Sequence, residues 1–292
     1  MSLTRRAFLR AGAGAAGLFA AHGGAAQQAL TAADVVQRIK DRVGIPWRGQ
    51  TVDNVVFGRP ETRLRGIATT MMATMDVIER AAAAGRNLVI THEPTFYSHQ
   101  DTAEPFAQDA AYQFKTAFMK QHDMVVFRFH DHWHAMRPDG VAFGTARELG
   151  WDKNRVPDNQ REFTFDGVPL ARLADQIRDR LGARTIRVVG DPALPVNRVA
   201  ASWGYYTFNP ANLVIARPDV DVFVVGETRE WETVEYVQDL IAAGKKKALI
   251  VIGHVASEQA GMKYCAEWLK GFVSEVPIEF VPASEPFWAP RG

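Results

Sequence analysis

Short apolar runs of strand length alternate along this chain with longer stretches of helical spacing. In the first half, the runs at Arg65–Thr70, Asn87–Thr91 and Asp123–Phe129 have the length and composition of buried strands. An amphipathic helix is predicted between the first two, from Met75 to about Ala84. A strand, a helix and a second strand in this order predict a parallel pair of strands.

The second half repeats the scheme. Strands are predicted at Glu162–Phe165, Thr185–Val189, Val196–Trp203, Val220–Val225, Ala248–Ile252 and Pro277–Pro282. The polar segment Asp152–Arg161 lies between the halves. We therefore expect an α/β fold with two similar halves, residues 28–151 and 162–292, which form one compact unit with mixed sheets facing a central cleft.

The first 27 residues have the pattern of an export signal. Arg5 and Arg6 precede Phe8 and Leu9 in a twin-arginine arrangement, an Ala/Gly-rich run follows, and small residues at 24–26 offer a cleavage site. The alternative, a membrane anchor, is disfavoured because the run is shorter than the roughly 20 apolar residues that span a bilayer. We predict that residues 1–27 are removed and that the mature protein is periplasmic, with no membrane segment.

Composition narrows the classes of function. Hydrophobic residues make up 47% and charged residues 23% of the 292 residues, which are ordinary globular values. A formal net charge of +1 gives no reason to expect a nucleic acid or an anionic membrane as partner. The single cysteine, Cys265, excludes an intrachain disulfide and a site built from several thiolates.

Histidines and carboxylates gather where predicted strands end, which is where α/β proteins place their chemistry. His92 and Glu93 follow one strand, the run HDHWH at 130–134 follows the next, and His254 with Glu258 follows a strand of the second half. Mixed imidazole and carboxylate ligands suit Zn, Mn or Fe(II) better than Mg or Ca. The predicted ligands are His92, Glu93, His134, His254 and Glu258.

Each part of this pattern also has a plainer interpretation. His92 and Glu93 fit an exposed pair at a strand end, and His254 with Glu258 fits an ordinary helix start. HDHWH fits a solvated loop with Trp133 on the core, although an extended backbone would place its three histidines on one side. The conjunction of three such strand ends favours the metal site.

Two carboxylates are candidates for proton transfer. Glu227 and Glu232 follow the predicted strand Val220–Val225 and could line the same cleft, with Glu230 between them. The alternative is an acidic helix N-terminus that complements the helix dipole. His99 and His122 are expected at the surface.

Five segments resemble one known family. ITHEP (residues 90–94) resembles ITHHP of the NIF-three-like family, also known as GTP cyclohydrolase I type-two-like proteins. Asp53-Asn54-Val55 with Gly58 is similar to the family's WDNxGL segment, FHDHWHAMRPDGV to HTNLDxxxGG, GETREWE to GEIKHHE, and GHVASEQAGMKYCAEWL to GHYxSExxGxxxLAxxL. The resemblance implies two divalent metals in a cleft between two similar halves and a ring-shaped homohexamer. By position, it places the family's ligands on the five residues predicted above.

Two predicted ligands depart from the family motif. Glu93 stands where the family has a second histidine, and His134 stands where it has an aspartate, so the total of histidines and carboxylates is kept. Either the two ligands are exchanged, or Asp131 supplies the carboxylate. Met72 and Trp231 also replace an acidic residue and a histidine of the family.

These observations leave three hypotheses. The first is a hydrolase with two divalent ions and an unidentified small-molecule substrate, in which Glu227 or Glu232 moves the proton. The second is an exported metal-binding or scaffold protein without turnover. The third is an α/β protein without metal, whose histidine-rich segment is coincidental.

Overall fold

The structure, a computed structural model, describes residues 29–288 and residue 290. The predicted signal segment, residues 1–27, lies outside the described residues. Within the described part of the chain, no helix combines the length and the apolar character needed to cross a bilayer.

Helices and strands alternate along the described chain, as the hydrophobic pattern predicts. The strands are β1 (Val55–Phe57), β2 (Ile67–Thr70), β3 (Leu88–Thr91), β4 (Val125–Arg128), β5 (Glu162–Pro169), β6 (Arg187–Val189), β7 (Pro195–Tyr205), β8 (Val222–Glu227), β9 (Ala248–Val251) and β10 (Ile278–Phe280). The α-helices are α1 (Ala32–Arg42), α2 (Met75–Ala83), α3 (Ala110–Gln121), α4 (Asp131–Ala135), α5 (Gly140–Leu149), α6 (Leu170–Leu181), α7 (Glu235–Ala242) and α8 (His254–Lys270).

The strands form two mixed sheets of five strands each, which confirms the predicted α/β class. The first has the order β1-β4-β3-β2-β10, and only β1 runs antiparallel to its neighbour. The second has the order β5-β7-β8-β9-β6, with both edge strands antiparallel. The central strands β2, β3 and β4 and their counterparts β7, β8 and β9 are fully parallel, so their carboxyl ends share one edge of each sheet.

The last strand returns to the first sheet. β10 pairs with β2 in parallel, although it lies at the far end of the sequence. The segment 162–292 therefore contributes to both sheets, and the division at residues 151 and 162 stays a prediction.

Helix α8 connects the two halves. It packs along α5 and contacts β2 and β10 of the first sheet together with β7 and β8 of the second. Glycines permit this close approach, because a Cβ on Gly144 would lie 2.6 Å from the carbonyl oxygen of Ala260 and one on Gly261 would lie 2.6 Å from Cα of Val141. Thr145 Oγ1 adds a hydrogen bond of 3.0 Å to the carbonyl of Ser257. The first turn of α8 is thereby held between the sheets.

Three local features of the backbone affect the site. Asp131–Ala135 form the short helix α4 with His130 as its N-cap, so the alternative of a solvated loop at HDHWH is wrong. Helix α5 begins at Gly140, because the Asp139 carboxylate accepts the amide protons of the first helical turn. A π-helical turn, Glu230–Val234, precedes α7.

We expect Gly144→Ala to destabilise the protein. Alanine gains up to about 1 kcal/mol of helix propensity over glycine, but its Cβ would meet backbone atoms of α8 at 2.6–2.9 Å, which a side-chain movement cannot relieve. Overpacking of this kind costs about 1–3 kcal/mol, so the net effect on the free energy of unfolding is a loss. Denaturant unfolding measures it.

The matched control is Gly49→Ala, whose Cβ would have nothing within 4 Å. This variant should be as stable as the wild type or slightly more so. Equal stability of the two variants would contradict the close packing of α5 on α8.

Candidate metal centre

Strand ends of both sheets meet at one site. His92 and Glu93 directly follow β3, and a single residue separates His130 from the end of β4. Glu227 is the last residue of β8, and His254 opens α8 shortly after β9. The parallel arrangement thus delivers chemistry-bearing side chains from four strands to one place.

Helix α4 divides the histidines of the HDHWH run into two groups. The Asp53 carboxylate accepts the amide protons of His130, Asp131 and His132 at 2.7–2.9 Å, which starts the helix. In a helix, residues four apart share a face, so His130 and His134 point together and His132 points elsewhere. An extended backbone would have placed all three rings on one side, and the helix does not.

His132 has a structural role. Its ring is completely buried, with Nδ1 2.7 Å from Asp53 Oδ2. Nε2 accepts the amide proton of Arg48 at 3.0 Å, and the ring stacks on Trp47 at a centroid distance of 3.7 Å. Both nitrogens are used within the fold, so neither remains for a ligand.

In four other histidines, Nδ1 forms a hydrogen bond with a neighbouring oxygen. The pairs are His92 with the Phe129 carbonyl at 3.2 Å, His130 with Asp131 at 3.0 Å, His134 with Asp139 at 3.2 Å, and His254 with Glu227 at 3.0 Å. Carbonyl and carboxylate oxygens only accept, so the proton of a neutral ring lies on Nδ1. The lone pair of each neutral ring is then on Nε2, as in histidines that bind metals.

The four Nε2 atoms face two carboxylates. Glu258 is 3.5 Å from Nε2 of His92, 3.8 Å from that of His134 and 3.2 Å from that of His254. Glu93 is 3.8 Å from Nε2 of His130 and 3.3 Å from that of His254. Two ligand atoms on one tetrahedral ion, each about 2.1 Å from it, lie roughly 3.4 Å apart, so this spacing matches a shared metal.

Buried atoms without partners support the same conclusion. His92 Nε2 and Glu258 Oε2 are both buried and have no hydrogen-bond partner among the described residues. Leaving such a group unsatisfied costs about 1–3 kcal/mol, and more for a charged one. Two groups of side chains within the described chain could hold a metal ion. The first is His92, His130 and His134, and the second is His92, Glu93 and Glu258. The residues therefore fit a divalent cation.

Electrostatics also favour a cation at this position. Burial raises the pKa of Glu93, but His254, His130 and Arg128 outweigh it and lower this pKa to about 2. Burial lowers the pKa of His254, but Glu227, Glu258 and Glu93 raise it to about 12. Glu93 and Glu258 thus need positive charge between them, which either a proton on His254 Nε2 or a divalent ion supplies. Metal binding must displace that proton.

His92 itself is held neutral. Its burial and the neighbouring His130 and His134 lower its pKa well below the ordinary value. A neutral ring with a bonded Nδ1 is ready to donate its Nε2 lone pair.

The alternative ligand Asp131 is used elsewhere. Its Oδ2 accepts from Thr51 Oγ1 at 2.9 Å and from the Val52 amide at 3.2 Å, while Oδ1 faces His130 Nδ1. Asp131 belongs to neither group of described residues that could hold a metal ion, whereas His134 does, so the geometry favours His134 over Asp131 as a candidate ligand.

The two candidate proton-transfer residues differ in position. Glu227 lines a cleft of about 910 Å³ that also reaches Glu93 and His254. Glu232 does not line this cleft; one of its oxygens pairs with Arg229 at 3.0 Å. Only Glu227 has contact with the cluster, through His254 Nδ1.

Sequence reasoning did not select His130 as a ligand. The signal was present in the spacing, because His130 and His134 are four residues apart and share a face only if the segment is helical. Asp53, which caps that helix, lies almost 80 residues earlier in the chain, so the local sequence does not reveal it.

Comparison with known proteins agrees with the architecture. Residues 24–286 match the Duf34/NIF3 family (NGG1p interacting factor 3). A protein of Chlamydia pneumoniae named GTP cyclohydrolase 1 type 2 homolog is 24% identical over 240 residues, covering 79% of this chain and 88% of its own. A protein of the same name from Clostridium acetobutylicum is 22% identical over 264 residues, covering 85% and 93%.

Solved structures show the same fold. Staphylococcus aureus protein SA1388 superposes with a TM-score of 0.70 at 19% identity, covering 89% of this chain and 99% of its own. A Bacillus cereus protein related to NIF3 superposes with a TM-score of 0.65 at 13% identity and the same coverage.

We expect His132→Ala to affect stability and to leave metal content intact. The substitution removes the buried partner of Asp53, which costs about 1–3 kcal/mol. Denaturant unfolding and metal analysis of the folded variant measure the two effects separately.

His122→Ala is the matched control, because His122 is a half-buried residue at the end of α3 whose hydrogen bond to Arg65 uses its backbone carbonyl. Its stability should stay within about 0.5 kcal/mol of the wild type. Loss of metal from His132→Ala at unchanged stability would contradict the structural role.

Proposed function

This chain belongs to the Duf34/NIF3 family, and on that premise we propose that it is a metal-dependent hydrolase of a small molecule. Two divalent ions, of Zn, Mn or Fe, would be held by His92, Glu93, His134, His254 and Glu258, with His130 as a further ligand. One observation carries the proposal: four Nε2 atoms, each on a ring anchored at Nδ1, converge on two carboxylates.

Divalent ions bound at this site would supply Lewis acidity, which would polarise a carbonyl or C=N group and activate water near neutral pH. The protein supplies orientation. The oxygen contacts at Nδ1 fix the rings, and a carboxylate such as Glu227 strengthens the basicity of the ring it holds.

Glu227 is the proposed proton-transfer residue. Its side chain is 56% exposed at the cleft wall, and its Oε2 contacts His254 Nδ1, so Oε1 is the oxygen proposed to accept a proton from a reacting water. Glu232 is not proposed for this role, because its contact is with Arg229 and it does not line the cleft.

The names of the relatives suggest a reaction class. A cyclohydrolase adds water at a ring C=N carbon, and the mixed apolar and polar cleft beside Glu93 and His254 suits a small ring-containing substrate. Periplasmic export and a ring-shaped homohexamer stay predictions from the sequence.

A second candidate is a metal-binding protein without turnover. The observation in its favour is the exchange at two ligand positions, Glu93 and His134, relative to the family motif. An altered ligand set can keep the metal and lose the reaction.

We expect the purified mature protein to contain between one and two divalent ions per chain. His92→Ala combined with His254→Ala removes two proposed metal ligands, one beside Glu258 and one beside both carboxylates. Metal content should fall below about 0.2 ions per chain, because loss of even a hydrogen-bond partner of a ligand lowers metal affinity about 10–100-fold. Elemental analysis of the dialysed protein measures this.

The control is again His122→Ala, which should keep the wild-type content. Less than one ion per chain in the wild type, unchanged by the double substitution, would overturn the proposed metal centre.

We expect the metal-loaded protein to hydrolyse a member of a panel of cyclic amides, ring C=N compounds, nucleotides and phosphoesters. Glu227→Gln should lower kcat by about 10²-fold or more at saturating metal, because it removes the proton acceptor. Steady-state kinetics at measured metal content test this.

Glu235→Gln, an exposed carboxylate on α7, should leave kcat unchanged. Tight metal binding with no turnover across the panel would favour the non-catalytic alternative.

A further inference from the structure

A completely buried arginine lies directly behind Glu93. Arg128 is the last residue of β4, and its side chain has no solvent exposure. Nη2 lies 3.6 Å from Glu93 Oε2, and Nε donates to the carbonyl of His92 at 3.3 Å. The guanidinium therefore touches both residues that follow β3.

The charge of Arg128 needs an anion nearby. A guanidinium stays protonated even when buried, and an unpaired buried charge is strongly destabilising. Nη2 has no hydrogen-bond partner within the described chain, and Glu93 is the carboxylate beside it. Asp101 lies on the other side, 3.5 Å from Nη1.

The two carboxylate oxygens of Glu93 face different groups. Its Oε2 faces Arg128, while its Oε1 faces His254 at 3.3 Å and His130 at 3.8 Å. Only one oxygen is thus directed to the metal cluster. The attraction between Oε2 and the guanidinium at 3.6 Å favours this orientation of the carboxylate over one that turns both oxygens to the cluster.

The Nη1 end of the guanidinium contacts the segment that lines the cleft. Nη1 donates to the carbonyl of His99, and Asp101 Oδ1 accepts the amide protons of Thr95 at 2.6 Å and Phe96 at 2.9 Å. Tyr97 and Asp101 have left-handed φ angles of 63° and 53°, which such contacts must maintain. Residues 95 and 97–99 line the cleft.

We propose that Arg128 is a positioning residue, which directs a single oxygen of Glu93 to the metal cluster and ties the cleft wall at 95–101 to that ligand. The inference rests on the proposed metal-dependent function and deepens it. Arg128 supplies the positive charge that a carboxylate at position 93 requires and that a neutral imidazole there would not.

A double-mutant cycle tests this assignment. Arg128→Met keeps the length of the side chain and removes the charge, and Glu93→His keeps a ligand and removes the carboxylate. Mn²⁺ binding to the four proteins is followed by titration calorimetry, with thermal unfolding of each as a second readout.

In the wild-type background, Arg128→Met should weaken binding of the weaker Mn²⁺ ion at least 10-fold, because the orientation of a ligand is lost. In the Glu93→His background, the same change should weaken it less than 3-fold. Arg128→Lys should give an intermediate loss, because it keeps the charge without the planar fork. If Arg128→Met does not fold, the Arg128→Lys cycle carries the test.

Equal weakening in both backgrounds would show that Arg128 acts only through the stability of the fold, and would overturn this inference while leaving the metal centre intact. If the wild type takes up Zn²⁺ or Fe²⁺ in place of Mn²⁺, the cycle is run with that ion. A wild-type protein that takes up none of the three overturns the proposed function, and this inference with it.

Discussion

Two carboxylates held close together inside the protein are the constraint on which the site depends. Glu93 and Glu258 both approach Nε2 of His254, at 3.3 and 3.2 Å. Ligand atoms of the two carboxylates lie within 4.8 Å of each other, and like charges this close in a poorly solvated place repel strongly. The fold can hold them only with positive charge between them, and the surrounding imidazoles are arranged so that a metal ion can supply it.

The backbone makes this arrangement possible. Gly204 has φ of 75° and lies so close to the Glu258 carboxylate that any side chain would collide with it. A Cβ on Gly226 would meet Gly204 in turn, at 2.6 Å from its carbonyl oxygen. Ser257 Oγ accepts the Gly204 amide at 3.0 Å and donates to the His254 carbonyl at 2.8 Å. The ends of β7 and β8 and the first turn of α8 are therefore fixed against each other around Glu258.

The sequence predicted the parts of this site that depend on local pattern. The apolar runs before His92 and His254 are strands whose ends carry candidate ligands, because burial and period are properties of a few consecutive residues. It did not predict the directions of His130 and His132, which Asp53 decides from far along the chain. The return of β10 to the first sheet is equally non-local.

The two departures from the family motif become consistent once their neighbours are considered. A carboxylate at position 93 adds a negative charge, and the buried guanidinium of Arg128 stands 3.6 Å from it. An imidazole at position 134 adds an N–H that needs an acceptor, and Asp139 accepts it at 3.2 Å. Asp139 is itself held by Arg161 at 3.1 Å and by the first turn of α5. Each exchanged residue thus has the partner that its chemistry requires, so the exchange is compatible with the proposed metal centre.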